Sequence, residues 1–464
     1  MLNDDTICAV STPYGTGAIS IIRLSGNDAF GIAEKIWKQK NEQLNFKELK
    51  NHHAYLGNIF IEDGTLLDEA IMILYKSPES YTTEDVVEFS CHGSVYIQNQ
   101  IIQLLIRKGA RAAQPGEFTM RAFINGRIDL TQAEAIADLI SSGSQAAHRL
   151  ALQQMRGGFS NEIKELRSKL LNFSSMLELE LDFSEEDVEF ANRKDLMNLL
   201  CDIRLHISKL LESYKLGNIL KSGIPVTIAG KPNVGKSTLL NILLNEDKAI
   251  VTDIPGTTRD AIEDTMVING ITFRFIDTAG LREANNIIEN MGIEKTYEKI
   301  DIASVVIYMF DISESPVNEI KKTITEFNKK FIGKNKKLIV TANKIDKLVE
   351  LPKGLKQLDD FDPLYISAKR RENINLIIDR LISFASEEIN IEEGNIITSS
   401  RHYESLHKAH ESVEHAQNGL TDQNPADLIS SDIRSALHYL AEITGEITTE
   451  EILGNIFNKF CIGK

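Results

Sequence analysis

The chain has 464 residues, of which 42% are hydrophobic and 25% charged, with a formal net charge of -16. That length is too great for one core and predicts several domains, and the acidic balance excludes a protein that coats nucleic acid by charge alone. Cys8, Cys91, Cys201 and Cys461 lie without CxxC spacing, which excludes a zinc framework or a disulfide scaffold.

Asp4 and Asp5 stand where a signal peptide needs basic residues, and Val305–Phe310 is far too short to span a bilayer. A cytoplasmic protein with no membrane partner is the expectation. Thr6–Val10, Ala18–Leu24, Ile71–Leu74 and Val86–Ser90 read as strands, with helices over Asp28–Lys38 and Ser94–Lys108. This α+β pattern changes near Leu130. Leu130–Met155, Ser160–Leu181 and Asn192–Leu216 carry apolar residues at helical spacing, and the same pattern returns over His402–Gln417 and Ala426–Phe457. The basic stretch Lys321–Lys337 reads as the wet face of a helix.

Between the helical blocks lie short apolar runs: Pro225–Ala229, Ile271–Ile276, Val305–Phe310, Leu338–Thr341 and Leu364–Ile366. Asn269–Gly270 between two alternating runs signals a type I′ hairpin. Strands alternating with helices predict a mainly parallel sheet with one antiparallel edge. The chain is therefore read as multidomain: an α+β part over 1–128, a discontinuous α-helical domain over 129–221 and 386–464, and an inserted α/β domain over 222–385.

Gly230-Lys231-Pro232-Asn233-Val234-Gly235-Lys236-Ser237 follows a strand and opens a helix at Thr238, the setting in which a phosphate loop works. Its glycines let backbone N–H groups converge on phosphate oxygens, Lys236 reaches the terminal phosphates, and Ser237 is a ligand for Mg²⁺. Asp277-Thr278-Ala279-Gly280 closes a later strand, where a carboxylate meets Mg²⁺ through water and a glycine meets the γ-phosphate. Asn343-Lys344-Ile345-Asp346 supplies an acceptor for the guanine N1–H and amino group, and Ser367-Ala368-Lys369 a backbone N–H for its oxygen. Adenine would leave the carboxylate unpaired. The four motifs in this order predict a GTPase.

Gly256-Thr257-Thr258-Arg259-Asp260 lies in the switch position, with Thr258 the candidate second Mg²⁺ ligand and Arg259 read as structural rather than as an arginine finger. Leu281 occupies the place where a glutamine orients the attacking water in Ras-like switches. Its side chain cannot do so, which leaves the role to Glu283, Glu289 or Glu294; spacing does not choose among them.

The phosphate loop, the 256–260 switch and Leu281 resemble the Era-related GTPases. The flanks resemble the MnmE (TrmE) family of tRNA-modifying GTPases: Thr6-Ile7-Cys8-Ala9, Gly15, Gly17, Arg23-Leu24-Ser25-Gly26, Pro115–Thr119, Arg121–Arg127, Gln132–Ile140 and the final Cys461-Ile462-Gly463-Lys464. The resemblance implies a folate-binding-like N-terminal domain that dimerises, a Ras-like G domain, and GTP hydrolysis dependent on K⁺. It assigns Asn233, Thr252, Ile254 and Thr257 to K⁺, extends nucleotide binding to Asp253, Pro255 and Gly256, and makes Glu289 the residue that orients the water. Arg23, Glu88, Arg127 and Lys464 become the contacts of a tetrahydrofolate derivative in its 5-formyl or 5,10-methylene form. The implied partners are a second copy, tRNA, and the FAD protein MnmG in a heterotetramer or larger assembly. FAD enters only through that partner, and the product is a carboxymethylaminomethyl or aminomethyl group at C5 of the wobble uridine. Cys461 is expected to position rather than attack. Two alternatives remain: an Era-like ribosome-assembly GTPase without modification chemistry, which would carry a basic domain after the G domain, and a folate-dependent one-carbon transferase that uses GTP only for control.

Overall fold

The computed structural model describes residues 5–40, 46–182, 192–245, 264–276, 302–331, 336–348, 350, 354–388, 395–458 and 460–463. These fall into two compact units, one of Met1–Ala137, Met155–Asn172 and Leu437–Lys464, the other of Asp138–Gln154 and Phe173–Ala436.

In the first unit, seven strands form one sheet: β1 (Ile7–Val10), β2 (Ile19–Ser25), β3 (Trp37–Gln39), β4 (Ala54–Phe60), β5 (Leu66–Tyr75), β6 (Val86–His92) and β7 (Arg111–Ala112), in the order β3-β4-β5-β6-β2-β1-β7. All pairs are antiparallel except β1–β7. Alternation sends Ile22, Leu24, Met72, Leu74, Val87 and Phe89 to one face, where they pack with Ile32 and Ile36 of α1 (Ala29–Ile36) and Ile101, Leu104 and Leu105 of α2 (Val95–Arg107). The other face carries Arg23 and Glu88. The helix expected over Asp28–Lys38 stops at Ile36. Trp37 starts a strand because its indole N–H donates to the Ala70 carbonyl at 3.2 Å and its ring lies over Gly57, where any Cβ would collide with it.

Further along, α3 (Glu117–Ile124) follows Gly116, whose φ is 67°. Beneath it lies a buried ion network. Arg121, 2% exposed, reaches Asp5 at 2.9 Å, Glu84 at 3.1 Å and Glu117 at 3.2 Å, and Arg111 reaches Asp5 and Glu117 at 2.6 Å each.

The helical stretch expected over Leu130–Met155 divides into α4 (Leu130–Ser141) and α5 (Gln145–Met155), because the Ser144 hydroxyl accepts the Ala147 N–H at 3.2 Å and starts a new helix. Next come α6 (Gly158–Asp182) and α7 (Arg193–Ser222), the latter opened by Asn192, whose side chain accepts the Lys194 N–H. The stretch over Ala426–Phe457 likewise divides, between Thr444 and Glu450: Gly445 takes φ 84° where a Cβ would strike Leu130 and Phe123.

In the second unit the sheet runs β13-β12-β11-β8-β10-β9, with β8 (Ile224–Ala229), β9 (Asp264–Ile268), β10 (Ile271–Phe275), β11 (Val305–Asp311), β12 (Lys337–Asn343) and β13 (Leu364–Tyr365). Every pair is parallel except β9–β10. Their turn, Asn269 at φ 50° and Gly270 at φ 78°, has the left-handed backbone that the Asn-Gly pair predicted. Central β11 is buried on both faces, as a parallel strand covered by helices must be. Val305, Ile307 and Met309 pack with α8 (Lys236–Leu244) and α10 (Ile374–Glu388), while Val306, Tyr308 and Phe310 pack with α9 (Val317–Phe331). The basic stretch is thus only partly helical: α9 ends at Phe331 and Lys337 begins β12.

In the same unit, α7 packs against α11 (Ser400–Thr421), with Tyr214 stacked on Tyr403 at 4.6 Å. The remaining helices are α12 (Ala426–Thr444) and α13 (Glu450–Phe457). Among the described residues no helix is long and apolar enough to cross a membrane.

Candidate functional site

Three of the nucleotide-binding motifs, at 230–237, 343–346 and 367–369, meet at the C-terminal edge of the parallel sheet, where α/β proteins hold ligands. β8 ends at Ala229 and the chain turns through Gly230, at φ 152°, into the phosphate loop. A Cβ on Gly230 would collide with the Met309 carbonyl, so the loop lies flush against β11. Asn233 takes φ 61° and Gly235 φ 105°, and α8 begins at Lys236. The Lys236 ammonium folds over the loop, donating to the carbonyls of Gly230 at 2.7 Å and Lys231 at 2.9 Å. Val234 is buried beneath; Ser237 and Thr238 stand in the first turn of α8. Lys231 is tied to Glu319 at the start of α9 by an ion pair of 2.6 Å.

Asn343 joins three motifs. Its amide donates to the Val234 carbonyl at 2.7 Å, and its side-chain oxygen accepts the Ala368 N–H at 2.9 Å. Gly235 must be glycine for the same reason, since its Cβ would overlap the Asn343 amide nitrogen. Lys344, at φ 69°, pairs with Asp311 at 2.6 Å. Burial raises the Asp311 pKa, but the bonds from Lys344 and Ser313 outweigh it and the carboxylate titrates below its usual range.

Asp346 accepts the Ser367 hydroxyl at 2.6 Å, which lowers its pKa. Ser367 in turn accepts the Arg370 N–H at 3.2 Å. Asp346 is thereby a fixed, ionised acceptor pair, the arrangement that can receive two N–H donors on one base edge. Lys369 follows on the exposed side of this loop.

The residues assigned to the switches lie outside the described residues: Thr252, Asp253, Ile254, Pro255, Gly256, Thr257, Thr258, Arg259, Asp277, Thr278, Ala279, Gly280, Leu281, Glu283, Glu289 and Glu294. Of the Mg²⁺ and K⁺ sets, only Ser237 and Asn233 are described. The geometry around them suits a phosphate with a bound cation: a glycine-lined loop, a lysine and a hydroxyl meet at a helix N-terminus.

A second site lies in the first unit, on the sheet face opposite α1 and α2. Arg23, Glu88 and Arg127 line one cavity of about 830 Å³ together with Tyr75, Tyr81 and His52. Register places Arg23 directly opposite Glu88, and the guanidinium meets the carboxylate at 2.8 Å through Nε and Nη2. The Tyr75 hydroxyl donates to the other oxygen of Glu88 at 3.2 Å. Desolvation and the neighbouring carboxylate raise the Tyr75 pKa, so it stays a donor. Arg127 donates to the Ser80 carbonyl.

The C-terminal segment reaches the same face. Ile462 bridges to Pro115, the Gly116 N–H donates to the Cys461 carbonyl at 3.3 Å, and the Gly463 carbonyl accepts from Ser11 at 3.1 Å and Arg23 at 3.5 Å. Gly463 takes φ 94°, with Val10 where its Cβ would be. Lys464 lies outside the described residues. Cys461 is exposed. Sequence reasoning missed Tyr75, Tyr81 and His52: nothing in their local pattern marks them, and only strand pairing brings them to Arg23.

The family described as "GTP-binding protein TrmE N-terminus" matches residues 6–127, and that described as "MnmE helical domain" matches 130–461. The chain is 50% identical to the "tRNA modification GTPase MnmE" of Flavobacterium psychrophilum over 465 residues, covering all of both chains. It is 50% identical to that of Cytophaga hutchinsonii, covering 99% of this chain and 98% of the other, and 48% identical to that of Bacteroides thetaiotaomicron over the full length of both. Two family matches that together span nearly the whole chain, and relatives alike from end to end, leave no room for an Era-like protein with a different flank: the chain belongs to the MnmE family of tRNA modification GTPases.

Proposed function

We propose that this GTPase hydrolyses GTP in a K⁺-dependent manner and, with MnmG, adds a carboxymethylaminomethyl or aminomethyl group at C5 of the tRNA wobble uridine, drawing one carbon from a tetrahydrofolate. The observation that carries the one-carbon part is the cavity of about 830 Å³ on which Arg23, Glu88 and Arg127 converge from three separate stretches of sequence. A cavity of that size suits a folate-sized ligand.

In this reading Asp346 and Ala368 read guanine, and Lys236, with the loop N–H groups of Asn233–Ser237, holds the phosphates. Lys236 must leave the carbonyls of Gly230 and Lys231 to do so, exchanging two neutral acceptors for an anion. Ser237 and Thr258 would hold Mg²⁺, and Asn233, Thr252, Ile254 and Thr257 would hold K⁺; the two ions neutralise charge that develops on the phosphates. Glu289 orients the water that Leu281 cannot. The four-part division at 128, 221 and 385 belongs to the same reading.

In the N-terminal domain the folate supplies a one-carbon unit at the oxidation level of formate or formaldehyde. Glu88, held by Arg23 and Tyr75, offers acceptor oxygens to the amino and N–H donors of a pterin. The domain pairs with a second copy. Supporting that, Leu56 and its register partner Ile71 are 45% and 41% exposed on the sheet face that carries Arg23, adjoining apolar surface of the kind that marks an interface. Nucleoside analysis of tRNA from cells lacking this chain tests the whole reading. The wobble-uridine modification should disappear, and an unchanged nucleoside profile would overturn it.

A further inference from the structure

We propose that Tyr81 positions the two arginines of the N-terminal cavity for different tasks, and that of the two it is Arg127 that reads the anionic glutamate end of a folate. The proposal rests on the folate reading of this cavity and adds which cation meets which part of the ligand.

All three guanidinium nitrogens of Arg23 are engaged. Its Nε and Nη2 meet Glu88 at 2.8 Å and its Nη1 reaches the Gly463 carbonyl at 3.5 Å. One face of its guanidinium lies 5.6 Å from the Phe118 ring centroid and it sits 5.3 Å from that of Tyr81. Arg23 and Glu88 cancel in charge, so the pair offers shape and acceptor oxygens rather than a free cation. Arg127 differs. It is exposed at the cavity, gives one donor to the Ser80 carbonyl, and has no carboxylate partner among the described residues. Glu79, which also lines the cavity, is taken up by Asn51 at 3.0 Å. Of the two arginines that line the cavity among the described residues, the one left to meet a dianionic tail is Arg127.

Tyr81 holds this arrangement. Its ring centroid is 5.5 Å from Arg127 Cζ as well as 5.3 Å from Arg23 Cζ. The negative face of one ring offsets the repulsion between two nearby guanidinium groups. The ring is itself fixed: its hydroxyl meets the hydroxyl of buried Thr119 at 2.9 Å, and it packs on Ile7, Ala9, Ala113 and Phe118. Without the ring, Arg127 regains the rotamer freedom of a long side chain and the preset cation is lost.

Calorimetry on the full chain with 5-formyltetrahydrofolate and with the N-methylamide of 5-formyltetrahydropteroate, which keeps the benzamide but lacks the glutamate carboxylates, tests the assignment. The wild-type chain should bind the first at least about tenfold more tightly, the worth of one charge-assisted contact to a carboxylate. Arg127→Gln should abolish that ratio by weakening only the first ligand. Tyr81→Leu should collapse it likewise, and Tyr81→Phe, which keeps the ring, should preserve it. Arg127→Gln sits at an exposed position and so stands as the test even if Tyr81→Leu fails to fold. Equal wild-type affinity for the two ligands, or a ratio that survives Arg127→Gln, overturns the proposal alone. A wild-type chain that binds neither ligand overturns the folate reading and the proposal together.

Discussion

The nucleotide site and the N-terminal cavity are built in opposite ways. The first is made of short contiguous motifs, and those at 230–237, 343–346 and 367–369 each lie where a strand of a parallel sheet ends, so that sequence order and spatial order nearly coincide. The second is made of single residues, Arg23, Tyr75, Tyr81, Glu88, Arg127 and Gly463, brought together by antiparallel pairing and by a segment more than 300 residues downstream of Arg127 in the chain. A loop that must bend its own backbone around phosphates needs glycines at fixed spacing, and glycines at fixed spacing can be read. A cavity lined by side chains from distant strands imposes no local rule.

The comparison can be broken first at the guanine end. If the nucleotide site is local and preformed, exchanging acceptor for donor at Asp346 should act there alone. Asp346→Asn should weaken GTP binding at least about a hundredfold, about 2.7 kcal/mol, and improve xanthosine triphosphate binding. Competition with a fluorescent guanine nucleotide measures both, and equal GTP affinity in the variant would show that another group reads the base.

Next in size comes the hydrolytic step. Glu289→Ala should bind GTP normally and turn it over at least about tenfold more slowly, about 1.4 kcal/mol of lost transition-state stabilisation. Single-turnover assays separate the two, and a normal rate would move the role to Glu283 or Glu294.

In the cavity the expected effects are smaller and spread over residues. Gly463→Ala forces a left-handed residue and a Cβ against Val10, a backbone cost of about 1–2 kcal/mol. It should weaken 5-formyltetrahydrofolate binding severalfold by shifting the carbonyl that Arg23 uses. Unchanged affinity would detach the C-terminal segment from the site.

Smallest of all is an acid effect on the buried network. The Arg111 bond lowers the Asp5 pKa, and in Glu117 burial is outweighed by the bonds from Arg111 and the Gln114 N–H. Folded-state values below the unfolded ones mean that this stability is present above about pH 4, the ordinary carboxylate range, and is lost as pH falls through the folded values. Thermal unfolding from pH 6 to pH 3 should show a decline that Arg111→Met makes shallower, and parallel curves would deny the network a part.

Much of the fold was legible for physical reasons that differ by region. Alternation and β-branched runs marked β1, β2, β5 and β6, and Asn269–Gly270 marked the hairpin. β3, β4 and β7 were not legible. β3 is three residues long and β7 two, and β4 is interrupted by Gly57, which exists to admit the Trp37 ring. The long helical stretches were seen but not their breaks, since a serine cap at Ser144 and a left-handed Gly445 are decided by neighbours distant in sequence. In the nucleotide site the motif residues were named from spacing, while the role of Asn343 as the joint between Val234 and Ala368 emerged only from the packed structure. In the cavity the charged residues came from family resemblance and the aromatic residues that hold them were silent.

The central claim is that guanine read at Asp346 drives a modification of tRNA. The most direct measurement is wobble-uridine modification in a reconstituted mixture of the Asp346→Asn chain, MnmG, tRNA and a tetrahydrofolate, supplied in turn with GTP and with xanthosine triphosphate. Modification should appear with xanthosine triphosphate and be absent or strongly reduced with GTP at the same concentration. Modification at the wild-type level with GTP, or with no nucleotide added, would contradict the account.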